Sequence, residues 1–327
     1  MIEKTRQDLD LKKYSVGELV KSFLKDSSFK ENALKQAKEA DHLIQKGEAS
    51  TLTGIPYYVK DNIQVKGKKC SAGSKILENY VSPFSALCVE KLKEKGAILV
   101  GKISISEFDN KVLDCPENTP PFSLGGGFFN NIFNFRKPSI PKNGLISLTS
   151  SLDQITFFTH TIKDLELLFN IEEYKKDLKI EKHNIPEYTK SCYNILKSAE
   201  AFSNLARYDG IRYGLREDGN TLNDIYTNTR TNGFGEEIKK EIVRGAYFLS
   251  SENYETYFKK ALKIRILIKQ EIKEALKKAD VLLLPNSKEL INLLNFPSLF
   301  IPEIDSFIIT EPLNENKLFK AQNILKC

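Results

Sequence analysis

One lysine carries the clearest chemical signal in the chain. Lys60 closes the apolar run of Leu52–Ile63, LTGIPYYVKDNI, and the polar pair Asp61-Asn62 follows it at once. Tyr57, Tyr58 and Val59 are strand formers, and Gly54-Ile55-Pro56 reads as the turn leading into them. A short buried strand would carry Lys60 inward, where desolvation and neighbouring charge lower an ammonium pKa. A lysine made neutral in this way is a base. The other reading open on pattern alone is a lysine at a strand end whose amine reaches back to water.

The remaining reactive side chains exclude more than they suggest. Cys70, Cys88, Cys115, Cys192 and Cys327 are odd in number and widely spaced, with no CxxC pair. Neither a zinc site nor a disulfide framework is expected, and a reducing compartment fits. His42, His160 and His183 lie far apart. The charge of +6 comes from lysines scattered over helical stretches, which is the pattern of a solvated surface rather than of a nucleic-acid footprint. Hydrophobic content of 41% over 327 residues is enough for a substantial core, as one large domain or two smaller ones. No apolar run reaches membrane-spanning length, and MIEKTRQDLD has neither a signal-peptide core nor a transit-peptide composition. A cytoplasmic protein is expected, with an organelle matrix open.

The elements that must position Lys60 follow from periodicity and caps. Ser15-Val16-Gly17-Glu18 is a capping box, with Tyr14 and Leu19 placed as its hydrophobic staple. A second helix is predicted over about Glu31–Lys46, ending at Gly47, and a third over Ala86–Lys95, ending at Gly96. Ala97–Val100 then reads as a buried strand, and helix, glycine, strand is the rhythm of an α/β sheet. Pro116–Pro141, with its prolines, asparagines and Gly125-Gly126-Gly127, reads as a loop or irregular segment. Further on, the residues predict a strand at Leu145–Leu148, a helix at Thr161–Phe169 and a charged surface arm at Lys175–Lys190. Ala261, Ile264, Ile268, Ile272 and Ala275 trace one helix face, and Asp280–Pro285 is a buried strand candidate.

LTGIPYYVKDNI resembles the lysine-bearing segment of the amidase signature family. The match continues through Lys66-Gly67, Ala72-Gly73-Ser74, Ala97–Lys102 and Glu107-Phe108. It resumes at Ser150–Gln154, Asn204–Gly210 and Gly233–Glu237. The order of these blocks is similar to that of the A subunits of glutamyl-tRNA(Gln) amidotransferases, one branch of the family. The resemblance implies an α/β/α amidase fold, a mixed sheet flanked by helices. It implies a single domain over residues 1–327, with a shortened signature region at about 119–149. It further implies a glutaminase whose ammonia passes to a partner, the B subunit, which uses ATP and magnesium to amidate Glu-tRNA(Gln). The C subunit would clasp the two, and no cofactor is expected in this chain.

In the family, Lys60 would be the base of a Ser–cis-Ser–Lys triad, with an oxyanion held by glycine-rich backbone N–H groups. The interval that should hold both serines is only Thr119–Thr149 here, and it lacks the family's Gly-Gly-Ser-Ser-Gly-Gly-Ser and Thr-Gly-Gly-Ser. Ser123-Leu124-Gly125-Gly126-Gly127 remains. Ser123 is the candidate for a surviving serine or an ordinary loop residue; Ser139 and Ser147 match no better. Gly125, Gly126 and Gly127 are the oxyanion candidates, and Gly127 is also an alternative occupant of the nucleophile's place. Tyr193 either lines the pocket or belongs to the core. The family's glutamine-holding acid is matched by Asn292, and its arginine pair by Lys240-Glu241, with Arg244 one turn on. Two hypotheses follow: a compacted glutaminase with a relocated serine, or a structural protein that supports the B subunit. The third, a stand-alone amidase, meets the same missing nucleophile.

Overall fold

The computed structural model describes residues 1–325; Cys327 lies outside the described residues. Nine strands among these residues form one mixed sheet: β1 (Pro56–Lys60), β2 (Ile98–Ile103), β3 (Phe122–Gly125), β4 (Phe133–Arg136), β5 (Thr156–Thr159), β6 (Ile180–Lys182), β7 (Val281–Pro285), β8 (Ser298–Ile301) and β9 (Ser306–Ile309). Their order across the sheet is β2-β1-β3-β5-β4-β8-β9-β7-β6. β1 lies between β2 and β3, parallel to both, so its backbone groups are paired on each side and its residues are all buried. From β3 to β7 every pairing is antiparallel.

Helices cover both faces. One face packs the helices α1 (Ile2–Asp10), α2 (Val16–Phe23), α3 (Ser27–Lys46), α4 (Leu87–Glu94) and α5 (Ile162–Phe169). The other is covered largely by α6 (Thr189–Leu205), α8 (Glu236–Leu249), α9 (Lys260–Leu276) and α10 (Lys288–Leu294), with α7 (Leu222–Gly233) packed on the turn at Lys75–Leu77, while α11 (Glu315–Leu325) returns to the first. The expected capping box is present: Ser15 accepts from the Glu18 amide and the Glu18 carboxylate accepts from the Ser15 amide. Gly47 ends α3 in the left-handed conformation expected of a C-terminal glycine.

The irregular reading of Pro116–Pro141 is corrected. The segment contains β3 and β4, both wholly buried in the centre of the sheet. Their residues, FSLG and FNFR, are too short to show a period, and the flanking prolines mark their entry rather than their absence. No helix runs through Gly125–Asn134. Leu145–Leu148 is not a strand; Leu145 makes a single bridge to Ile63. The charged stretch Lys175–Lys190 supplies β6, which pairs with β7 at the sheet edge, where charge is tolerated on an exposed strand.

Candidate active site

Lys60 lies at the end of β1, only 1% exposed. Its ammonium donates to both Asp109 oxygens, at 3.0 and 3.3 Å, and to the Phe128 carbonyl at 3.0 Å. The rings of Phe129 and Phe158 lie 4.1 and 5.0 Å from Nζ. Inward placement thus holds, and the lysine does not reach back to water. Burial pushes the Lys60 pKa down, against the attraction of Asp109, and burial also raises the Asp109 carboxyl against the pull of Lys60.

Asp109 is the residue that the sequence reading missed. It ends a short 3-10 turn, Glu107–Asp109, in which Phe108 (φ 50°) and Asp109 (φ 56°) are both left-handed. Such backbone costs about 1 kcal/mol or more per non-glycine residue and persists only where its surroundings over-determine it. Here Phe108 is buried against the rings of Tyr208 and Phe234, while Glu107 accepts from the Ser74 hydroxyl and the Gly235 amide. The turn is locked from both sides, and the lock aims Asp109 at Lys60. Its position directly after the Glu107-Phe108 block was the only available signal.

The glycines make room for this pair. A Cβ on Gly125 would lie 2.4 Å from Lys60 Cβ, and one on Gly127 (φ +64°) would lie 2.5 Å from an Asp109 oxygen. Gly125→Ala is therefore expected to cost about 1–3 kcal/mol, as overpacking next to a buried side chain does, read as a fall in thermal midpoint. The Gly126 N–H already donates to Asn62 Oδ1, and the Gly127 carbonyl accepts from Thr156 and Arg136.

Ser123 sits on β3, buried, in register with Tyr58 on one side and Phe158 on the other. Because side chains alternate along a strand, it shares a face with Gly125 and hence with Lys60. No hydrogen bond joins its hydroxyl to the Lys60 ammonium, and the hydroxyl of Ser74 goes instead to Glu107. Ser139 and Ser147 make no hydrogen bond with Lys60 either.

A cleft of about 410 Å³ opens beside the pair, bordered by Asp109, Gly127, Asp153, Tyr193, Lys197 and Asn292. Tyr193 thus lines the cavity, and its hydroxyl lies 3.4 Å from Asn292 Nδ2. Behind the wall, the buried Arg136 donates to Asn292 Oδ1 at 2.5 Å and to Thr156 at 2.8 Å, with the Phe128 ring 3.7 Å from its guanidinium carbon. Burial lowers its pKa to about 10. Asn292, placed by sequence where an acid would hold substrate, here serves the protein's own arginine. Lys240 and Arg244 pair with Glu237 and Glu241 and do not border the cleft.

A family model described as Amidase matches residues 15–117 and 175–296. The chain belongs to the amidase family. The matched stretches hold Lys60, Asp109, Tyr193 and Asn292; the stretch between them holds Ser123 and Gly125–Gly127, where the shortened interval lies. The A subunit of glutamyl-tRNA(Gln) amidotransferase from Thermoanaerobacter pseudethanolicus is 34% identical over 78% of this chain and 72% of its own length. The protein of the same name from Clostridium novyi is 34% identical over 79% and 74%. Among solved structures, peptide amidase from Stenotrophomonas maltophilia aligns over 98% of this chain and 94% of its own, at TM-score 0.73 and 15% identity. The A subunit of glutamyl-tRNA(Gln) amidotransferase from Thermotoga maritima aligns over 84% and 83%, at TM-score 0.52 and 22% identity. These structural likenesses bear out the mixed sheet flanked by helices as an amidase fold.

Proposed function

We propose that this amidase-family chain acts as the A subunit of a glutamyl-tRNA(Gln) amidotransferase, in the synthesis of Gln-tRNA(Gln) for translation. The observation that carries the reading is the 34% identity to proteins of that name across more than three quarters of the chain. In this role the chain assembles with the B subunit, where ATP and magnesium drive amidation of Glu-tRNA(Gln), and with the C subunit. No described helix is long and apolar enough to cross a membrane. The experiment is amidation of Glu-tRNA(Gln) by the B and C subunits, supplied with ammonium, with and without this chain. Product formation that needs the chain is the expected result; equal product without it would remove the assignment.

For the source of ammonia, one observation keeps a second reading beside the glutaminase. The Lys60 ammonium bonds to Asp109 and the Phe128 carbonyl, and to no hydroxyl among the described residues. Acyl-enzyme chemistry needs a nucleophile in contact with its base, directly or through a relay. On the second reading Lys60 is held by the Asp109 carboxylate, the chain supports the B subunit structurally, and ammonium comes from solution. The glutaminase reading retains Ser123, on the same face as Lys60, as its one candidate nucleophile.

A further inference from the structure

A second concavity lies under the loop that follows α6, with Leu145 between it and the Asp109 side of the Lys60 site. Gln64, Leu77, Tyr80, Arg207, Tyr208 and Tyr213 line a bowl of about 110 Å³. Its tyrosine rings touch without being coplanar: Tyr80 and Tyr213 lie 5.6 Å apart at 49°, and Tyr208 and Tyr213 6.2 Å apart at 86°. Tyr208 is buried behind the wall, whereas Tyr213 is 40% exposed at the rim. The loop is held in place from below, since Leu215 N donates to the Ile76 carbonyl and a Cβ on Gly214 (φ +84°) would strike that same oxygen. The rim tyrosine is thus presented by a braced loop rather than by a free one.

Two polar features make the bowl more than an apolar dent. The Gln64 Oε1 accepts from the Tyr80 hydroxyl at 2.8 Å and lies 3.1 Å from the Ser82 hydroxyl. Its acceptor is therefore occupied, and the amide N–H donors, with no partner among the described residues, are what it offers to the bowl. Arg207 stands at the edge, 5.7 Å from the Tyr208 ring, held by a bond from Nε to the Asn204 carbonyl and with no ion pair among the described residues. The exposed Tyr213 ring, the Gln64 N–H donors and an unpaired guanidinium suit a planar heteroaromatic ring with an exocyclic carbonyl and a nearby phosphate.

We infer that this bowl binds a nucleobase, stacked on Tyr213, with Gln64 donating to the base carbonyl and Arg207 meeting the phosphate. Stacking on tyrosine or arginine planes with hydrogen bonds to base edges is how proteins take unpaired bases. The base comes from a free nucleotide or from a single-stranded stretch of RNA. Because Gln64 offers donors, bases that carry a carbonyl, such as uracil, are preferred to adenine, which has none.

The test is fluorescence anisotropy of a short labelled oligouridylate titrated with the whole chain at low salt, with UMP and AMP as competitors. Expected are saturable binding and about fivefold or greater weakening by Tyr213→Ala and by Arg207→Gln. Tyr213→Phe should retain binding, which separates loss of the ring from loss of the fold. Tyr247→Ala, an exposed aromatic on α8, should leave it unchanged. Displacement by UMP identifies a free-nucleotide site; displacement only by longer oligomers identifies RNA. No binding at low salt, binding indifferent to Tyr213→Ala, or AMP competing as well as UMP would each overturn the inference.

Discussion

Asp109→Ala is expected to destabilise the protein by about 3–5 kcal/mol, because it leaves the Lys60 ammonium buried without a countercharge. Lys60 is 1% exposed, and its remaining partners are one carbonyl and two ring faces. For a chain of this size the loss corresponds to a thermal midpoint lower by about 5 °C or more. Lys60→Met should cost less, since the Asp109 carboxyl borders the cleft and can take up a proton or water there. Combining the two substitutions should recover much of the loss, as replacement of a whole buried pair by apolar groups commonly does. Calorimetric melts of the two single variants and the double variant measure the coupling. Additive losses would mean that Lys60 and Asp109 do not depend on one another, and the structural role given to the lysine would fail.

The fold was legible where local chemistry is strong. The Ser15–Glu18 box, the Gly47 terminator and the strand ending at Lys60 all follow from residues within a few positions of one another. α1 was not foreseen, because its polar sequence shows only Ile2 and Leu9 as buried contacts. β3 and β4 were missed for another reason: four-residue strands carry no period, and their burial is decided by β1, β5 and β8 on either side.

The site was half legible. The pattern around Lys60 left an inward and a water-facing lysine both open, and the resemblance of its block to the amidase signature family pointed inward; the loss of the serine-bearing interval is visible as missing length. Its partner was not visible. Asp109 lies 49 positions along the chain, and a strained turn places it, so no spacing rule connects the two. Arg136 and Asn292 are 156 positions apart and meet only once β4 has brought the guanidinium beneath α10. Of the glycines read as oxyanion candidates, Gly125 and Gly127 also make room for the Lys60–Asp109 pair, since side chains there would collide with it.

The proposal most in need of a test is the second reading, in which the chain keeps the family's fold and lysine and works with ammonium from solution. A hydroxyl nucleophile and its base act as a unit, so the base alone contributes little. The most direct measurement is Gln-tRNA(Gln) formation by this chain reconstituted with the B and C subunits, with glutamine or ammonium as the only nitrogen source, alongside assay of ammonia release. The account predicts product with ammonium, little or none with glutamine, and no change in the ammonium reaction on Ser123→Ala. Robust product from glutamine, abolished by Ser123→Ala and by Lys60→Ala, would contradict it and establish a working glutaminase built on a relocated serine.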